Sequence, residues 1–201
     1  VLSGARRKLV SFKGINGAPS WSPNGGTLAL TLSRDGNSEI YTMNVDGGDL
    51  RRLTSSAAID TEPVWAPDGK SIVFTSDRGG SAQLYRVSAM GGGAQRLTFE
   101  GKYNAGADLS PDGRKLAMVH GEGGRYRIAV LDLDTGLLRI LTDGPLVESP
   151  SFSPNGSMII YATGAGHREV LSAVSVDGRF RQRLSLQAGN VREPVWSPFG
   201  K

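Results

Sequence analysis

The sequence has no cysteine and only two histidines among its 201 residues. Without cysteine the chain cannot form a disulfide framework or a thiolate metal site, and it has no thiol nucleophile. His120 and His167 are too few for a multi-histidine metal cage. These absences exclude disulfide-rich scaffolds, metal sites of the cysteine type and cysteine-dependent enzymes.

Long apolar runs and clusters of one charge are missing as well. Runs such as Met158 to Ala162 extend over about five residues, whereas a membrane-spanning helix needs about 18 or more. We therefore expect no direct insertion into a membrane. The 23 basic residues exceed the 19 acidic ones but are scattered along the whole chain. A protein that binds nucleic acid concentrates its basic residues on one surface, so we expect no nucleic acid partner.

Glycine is abundant, with 28 residues, and comparing the chain with itself shows a repeat. A four-residue turn of the type Ala66-Pro67-Asp68-Gly69 occurs five times, and its prolines are 44, 44, 43 and 44 residues apart. A second signature, Arg52-Leu53-Thr54 and its equivalents, keeps the same period, since its leucine lies 13 or 14 residues before the next turn proline. Two signals with one period indicate a repeat architecture.

Each period contains four short strand patterns and leaves no room for a long helix. A β-rich run such as Ile72 to Thr75 follows the proline turn, an alternating segment such as Glu39 to Val45 comes next, and a short strand such as Arg51 to Thr54 ends the unit. Four strands in about 40 to 50 residues are typical of one blade of a β-propeller. The sequence therefore predicts an all-β protein built from four-stranded blades.

The two ends of the chain predict an incomplete arc of such a ring over residues 1–201. Arg6 to Val10 has the pattern of a blade's last strand, and Glu193 to Ser197 that of a first strand that closes a further blade. We expect three complete blades between these ends. Large apolar residues end the first strands, and we expect all of them to be buried between blades: Trp21, Trp65, Leu109, Phe152 and Trp196.

Catalytic motifs are lacking. The chain has no Gly-x-Ser-x-Gly nucleophile elbow, and its glycine-rich segments follow strands with no helix behind them to receive a phosphate. We therefore predict that the protein is not an enzyme and binds no cofactor. Two alternatives stay open: the propeller of a prolyl-oligopeptidase-like peptidase, and a propeller that binds a sugar or a cation. Four carboxylates could hold Ca²⁺ in the central channel, although no dedicated loop motif is present: Asp60, Glu62, Glu148 and Glu193.

The connections that enter each first strand are the best candidates for a binding site. The first strand of a blade is innermost, so these connections converge on one mouth of the central channel. They are also the least regular part of the repeat, and loops on a rigid scaffold commonly carry recognition. The predicted partner-binding residues are Ile15, Asn16, Ala18, Asp60, Thr61, Glu62, Asn104, Ala105, Glu148 and Arg192.

Several segments resemble a known family. Ile72 to Gly80 and Gln83 to Val87 resemble WD40-like PD40 propeller repeats, while Thr61 to Trp65, Gly93 to Gly101 and the ending Trp196 to Lys201 resemble the carboxy-terminal part of the TolB family. The resemblance covers the whole chain in order.

This resemblance implies a six-bladed ring in a periplasmic, non-enzymatic protein of the Tol-Pal system, which supports outer-membrane integrity and cell division. It implies that the channel mouth binds the peptidoglycan-associated lipoprotein Pal and that an amino-terminal domain, absent from this chain, communicates with TolA. Transferring the family's Pal-contacting loops by motif gives Ile15, Asn16 and Ala18 from one connection and Asp60 to Glu62 from the next. Ile15 occupies a position where the family pattern leads us to expect histidine.

Overall fold

Sixteen strands and the turns between them make up the computed structural model, which describes residues 8–143, 147–165, 168–184 and 190–197. They form four antiparallel four-stranded sheets, each ordered as the chain runs. The first sheet, blade 1, contains β1 (Asn16–Trp21), β2 (Thr27–Leu32), β3 (Glu39–Asn44) and β4 (Arg51–Arg52). Blade 2 contains β5 (Asp60–Trp65), β6 (Ser71–Ser76), β7 (Gln83–Ser88) and β8 (Gln95–Arg96).

The other two blades repeat this order with longer middle strands. Blade 3 contains β9 (Tyr103–Leu109), β10 (Lys115–Glu122), β11 (Arg125–Asp132) and β12 (Leu138–Ile140). Blade 4 contains β13 (Val147–Phe152), β14 (Met158–Ala165), β15 (Arg168–Ser175) and β16 (Arg181–Leu184). The described residues form no helix long and apolar enough to cross a membrane. The prediction of an all-β protein with four-stranded blades is confirmed.

The count of three complete blades was wrong, because the structure has four complete sheets. Each first strand pairs with the strand that follows it, so each of the four periods completes its own sheet. The predicted end strands remain a prediction, because their partner strands were expected outside this chain. Arg6 lies outside the described residues, Lys8 to Val10 is not a strand, and Glu193 to Ser197 has no strand pairing among the described residues.

The proline turn that joins the first two strands is closed by its own serine hydroxyl in blades 1, 3 and 4, while blade 2 has Ala66 at that position. In blade 1 the hydroxyl of Ser22 donates to Oδ1 of Asn24 (2.7 Å), and its oxygen accepts the N–H of Thr27 (2.9 Å). Gly25 takes the left-handed conformation (φ 70°) that completes the turn. Ser110 with Asp112 and Ser153 with Asn155 repeat the hydroxyl contact, which explains why the tetrapeptide recurs.

Apolar side chains form one cluster between each pair of neighbouring blades. Between blades 1 and 2, Ile40 and Leu53 pack with Phe74 and Tyr85. The leucine of the repeat signature faces the next blade at all three described boundaries, as Leu53, Leu97 and Leu141 show. The middle strands are covered on both faces, so Thr27–Leu32 is almost entirely buried despite its mixed composition.

The five large residues that end the first strands are not equally buried. Leu109 and Phe152 are buried as predicted, and Trp65 is partly buried. Trp21 is 62% exposed and Trp196 is 37% exposed, so their predicted burial was wrong. For Trp21 the reason lies in the packing direction: Trp65 packs against blade 1, the preceding blade, and no described blade precedes Trp21. Trp196 does follow a blade, and its Nε1–H donates to the carbonyl of Ser151 in blade 4 (3.0 Å), but its own segment pairs with no described strand.

Candidate functional site at the channel mouth

A bulge interrupts every first strand at the same place. The pairing of β1 with β2 shifts register between Gly17 and Ser20, and the equivalent shift occurs in the other three blades. At each bulge one residue has a left-handed φ between 47° and 61°: Ala18, Glu62, Gly106 and Ser149, with Glu193 (φ 48°) at the next equivalent position. Only one of the five is glycine, and non-glycine residues at positive φ are a recurrent feature of functional sites.

These bulges line the central channel. A cavity of about 560 Å³ runs along them, walled by the X-Pro steps Ala18-Pro19, Glu62-Pro63 and Ser149-Pro150. The cavity ends at the mouth, where the first strands begin and where the hairpins between second and third strands turn. Leu32 of β2 therefore lies opposite Asn16, the first residue of β1.

Exposed apolar and aromatic side chains surround this mouth. Ile15 and Ile59 directly precede the first strands of blades 1 and 2 and are 57% and 54% exposed. Tyr103 precedes β9's buried residues in the same way and makes an edge-to-face contact with Tyr126, with ring centroids 5.2 Å apart. Tyr126 is 41% exposed. Aromatic residues in a solvent-facing position of this kind are typical of protein interfaces.

Carboxylates lie beside these rings. A pocket of about 320 Å³ at the boundary of blades 3 and 4 contains Glu62, Glu148 and Glu193 together with Tyr103 and Tyr126. Burial, followed by the negative charges of Glu62 and Glu148, raises the pKa of Tyr103. The Tyr103 hydroxyl therefore stays protonated and can donate a hydrogen bond.

Glu62 also connects two blades. Its Oε2 accepts a hydrogen bond from Oγ1 of Thr75 (2.8 Å) in its own blade and from the N–H of Gly106 (3.1 Å) in blade 3. Its carboxylate is exposed. Glu62 therefore holds neighbouring first strands together while presenting a charge to the channel.

The structure exposes six of the ten predicted partner-binding residues and partly exposes a seventh. The exposed ones are Ile15, Asn16, Ala18, Glu62, Glu148 and Arg192, and Thr61 is half-buried. Asp60 and Asn104 are completely buried and Ala105 is 4% exposed, so none of the three presents its side chain to a partner. Asp60 is the first residue of β5, and its side chain bonds to Arg78. Asn104 is the second residue of β9, and its side chain bonds to Gln83 of blade 2.

Besides Glu62, two of the exposed residues are already bonded within the chain. The side-chain amide of Asn16 donates to the carbonyl groups of Phe12 (2.8 Å) and Gly14 (2.9 Å) and holds the entry loop. Arg192 makes two hydrogen bonds to the carboxylate of Glu169, at 2.7 and 3.0 Å. The side chains with fewest such restraints are Ile15, Ala18 and Glu148.

The buried amide of Asn104 belongs to a polar cluster at the boundary of blades 2 and 3. It donates to Oε1 of Gln83 (2.9 Å) and to the carbonyl of Glu100 (2.8 Å), and its oxygen lies 2.8 Å from Nδ1 of His120. Burial lowers the pKa of His120, so the imidazole is neutral at pH 7. This cluster is structural, and His167, the other histidine, lies outside the described residues.

A cation site in the channel receives no support from the side-chain arrangement. The ranges that the structure describes contain no group of three or more His, Asp or Glu side chains placed to hold a metal ion. Asp60, one of the four predicted carboxylates, is buried between blades 1 and 2. Channel Ca²⁺, like the expected absence of a cofactor, stays a prediction.

Sequence reasoning missed Ile59, Tyr103, Tyr126 and Asp108, the last of which lines the channel cavity. Ile59 and Tyr103 had a readable signal, because each directly precedes an Asp or Asn at or next to the start of a first strand, as Ile15 precedes Asn16. Tyr126 belongs to a hairpin that reaches the mouth only because β10 and β11 are long. No sequence signal marks Asp108, whose surroundings come from a neighbouring blade.

Four-stranded antiparallel blades whose first strands line a channel define the class of β-propellers. The chain matches the family described as PD40, TolB beta propeller domain, over residues 1–200. It belongs to that family, and this confirms the resemblance read from its repeats.

Two relatives show how much of a longer protein the chain represents. It is 69% identical over 194 residues to the Tol-Pal system protein TolB of Alcanivorax borkumensis, which covers 96% of this chain and 45% of that protein. The crystal structure of TolB from Acinetobacter baumannii superimposes with a TM-score of 0.91 at 50% identity, over 98% of this chain and 50% of that one. The chain thus spans about half the length of these relatives.

A puromycin-hydrolysing peptidase from Mycobacterium tuberculosis is a more distant neighbour. It is 23% identical with a TM-score of 0.71, over 92% of this chain and 31% of that one. At this identity the likeness shows the propeller fold alone and gives no argument for a peptidase. The family to which the chain belongs carries the name of a Tol-Pal system component and not of an enzyme.

Proposed function

We propose that the protein to which this chain belongs binds the lipoprotein Pal at the channel mouth, without covalent chemistry, in the periplasm. Its role would be to support outer-membrane integrity and cell division, with TolA reached through an amino-terminal region outside this chain. Membership of the TolB propeller family supports the Tol-Pal assignment. The observation that carries the choice of site is the exposed apolar ring of Ile15, Ile59 and Tyr126 beside carboxylates at one mouth.

The mouth has the composition of a protein-binding surface. Exposed apolar and aromatic side chains supply the area that becomes buried in an interface, and such residues commonly carry most of the binding free energy. The short connections are held by main-chain and side-chain bonds such as those of Asn16 and Glu62. Little conformational entropy is therefore lost when a partner docks.

The charges around the mouth favour selectivity. Glu62, Glu148 and Glu193 lie near the tyrosines, while Arg192 is held at the rim by Glu169. Charged groups at an interface influence the association rate and reject partners with the wrong charge more than they add affinity. We therefore expect the partner surface to present basic groups to the pocket between blades 3 and 4.

Titration calorimetry of the full-length protein against purified Pal tests this proposal. Ala18→Arg or Thr61→Arg should weaken binding by at least about tenfold, or roughly 1.4 kcal/mol, because a long charged side chain would project into the mouth. Ala18 is the cleaner position, since it is exposed while Thr61 is half-buried.

Arg139→Ala is the matched control. Arg139 lies on the outermost strand β12 and bonds to the carbonyl of Asp177 (3.4 Å), far from the first strands. This variant should bind Pal as the parent does. If both mouth variants also bind like the parent while keeping its melting temperature, Pal does not dock at this mouth.

A further inference from the structure

Two carboxylates are completely buried beside each other at the boundary of blades 1 and 2. Glu39 begins β3 and Asp60 begins β5, and neither has any exposed surface. The N–H of Asp60 donates to the carbonyl of Ser38 (2.9 Å), the residue before Glu39, so both carboxylates lie at the same blade boundary. Two ionised carboxylates cannot donate to one another, so a hydrogen bond between them would require a proton on one of them.

The two carboxylates accept different numbers of hydrogen bonds. Glu39 accepts from Nη2 of Arg52 (2.9 Å), from the N–H of Ser56 (2.6 Å) and from Oγ1 of Thr54 (2.6 Å). Asp60 accepts one short hydrogen bond, from Nη2 of Arg78 to Oδ2 (2.7 Å). Its Oδ1 is buried and has no hydrogen-bond partner. A proton on Oδ1 would therefore allow this oxygen to donate a hydrogen bond.

The next blade boundary shows the same arrangement with neutral amides. Gln83 and Asn104 occupy the positions of Glu39 and Asp60, and Nδ2 of Asn104 donates to Oε1 of Gln83 (2.9 Å). Oγ1 of Thr98 also donates to Oε1 of Gln83 (2.7 Å), as Thr54 donates to Glu39. In this neutral pair the first-strand residue is the donor, a role that Asp60 can fill only when it carries a proton.

We propose that Glu39 and Asp60 share one proton, which resides on Asp60 and is donated to Glu39, and that this bond holds the connection from Thr54 to Asp60 against blade 1. Nothing in this inference depends on Pal. Only an effect on partner binding at the mouth rests on the proposed function, because Thr61 and Glu62 directly follow Asp60 in the chain.

The surrounding charges place the proton on the aspartate. Burial is the largest influence on both carboxyl groups and by itself would raise both pKa values. For Asp60 it outweighs the hydrogen bonds from Ser76 and Arg78, so the pKa of Asp60 is raised. For Glu39 the bonds from Thr54, Ser56 and Arg52 outweigh burial, and its pKa is lowered.

The remaining charged groups near the pair have other partners. Asp35 accepts a hydrogen bond from the hydroxyl of Tyr41 (2.7 Å), and Asp77 accepts one from the N–H of Ile59 (2.8 Å). The Arg78 guanidinium also lies over the ring of Tyr85, 4.9 Å from its centroid. These contacts leave Glu39 as the group that receives the Asp60 proton.

The stability of the protein should depend on pH in a direction set by Asp60. Its pKa is raised in the folded state above the value of about 3.9 for an unfolded chain. The folded state therefore retains a proton that the unfolded state has lost, so the stabilisation is complete below about pH 4 and is lost as pH rises toward the raised pKa. Ionisation of both carboxylates would then loosen the connection that leads into Thr61.

Carbon-13 NMR of the aspartate carboxyl carbons in the full-length protein tests the proposal directly. We expect the carbon of Asp60 to titrate above the range of the exposed aspartates. Thermal unfolding of Asp60→Asn provides the second arm, because asparagine can donate to Glu39 as Asn104 donates to Gln83. We expect this variant to keep the melting temperature of the parent at pH 7 and to show a smaller loss between pH 4 and pH 7.

Asp143→Asn is the matched control. Asp143 makes a bond of the same length, 2.7 Å, to Arg181, but at the surface and without a second carboxylate. The Arg181 bond lowers the pKa of Asp143, so its stabilisation is lost at low pH, the opposite direction. An Asp60 carboxyl carbon that titrates near pH 3.9, or an Asp60→Asn variant with an unchanged pH slope and a lower melting temperature, would overturn the proposal. If Asp60→Asn fails to fold, the NMR titration of the parent protein decides.

Discussion

Replacing Phe74 by alanine is expected to lower the free energy of unfolding by about 3 to 5 kcal/mol. Phe74 lies on β6 with no exposed surface, in the cluster between blades 1 and 2. Its ring is 6.1 Å from that of Tyr85 and contacts the Arg78 guanidinium. Because packed strands surround it on both faces, the cavity left by the missing ring cannot close. Denaturant unfolding of the full-length protein and the variant measures the loss.

Phe99→Ala is the control for this substitution. Phe99 is 74% exposed, and its main contact is the Arg96 guanidinium, 5.3 Å from the ring centroid. An exposed contact of this type contributes about 0.5 to 1 kcal/mol, so the variant should lose no more than that. Equal losses for Phe74→Ala and Phe99→Ala would show that the boundary of blades 1 and 2 does not contain the packed core described above.

As the pH rises from about 4 to about 6, ionisation of Asp108 is expected to lower the free energy of unfolding by roughly 2 to 3 kcal/mol. Asp108 lines the channel. Burial raises its pKa to about 6, although Oδ2 accepts the N–H of Phe152 (2.6 Å) and Oδ1 that of Leu109 (3.0 Å). Between about pH 4 and pH 6 the folded state keeps a proton that the unfolded state loses. The stabilisation is therefore complete below about pH 4 and disappears by about pH 6.

Asp108→Asn removes this titration and isolates its effect. The variant loses a hydrogen-bond acceptor toward blade 4, so its stability at a single pH is not the informative quantity. The difference between the unfolding free energies at pH 4 and pH 6.5 is informative, and it should shrink by roughly 2 to 3 kcal/mol relative to the parent. A difference identical to that of the parent would mean that Asp108 is already ionised at pH 4.

The repeat in the sequence specifies the blades because its signals are local. Ser22 closes its own turn with Asn24 and Thr27, and the left-handed glycine follows at once. Four such turns fix where every first strand ends and every second strand begins. The error in blade count arose at the ends, where assigning a strand to a blade depends on which strand it pairs with and not on its own pattern.

The candidate site was harder to predict, because exposure depends on neighbouring blades. A carboxylate such as Asp60 suggests a solvent-facing residue, yet Arg78 and Glu39, which are distant in sequence, bury it completely. Trp21 shows the reverse error, since a large apolar residue is exposed where no described blade precedes it. The period alone does predict where each first strand starts, and residues at several of these starts line one pocket.

Hydrogen exchange of the full-length protein, alone and saturated with Pal, tests the central claim most directly. Exchange should slow on Pal binding at the mouth, in residues 59–62, 103–106 and 147–149, while the proline turns at the opposite end of the first strands keep their rates. This result is predicted because Ile59, Tyr103 and Glu148 lie at the strand starts and the turns lie at the strand ends. Slowing confined to the proline turns or to the outer strand around Arg139, with the mouth unchanged, would contradict the claim.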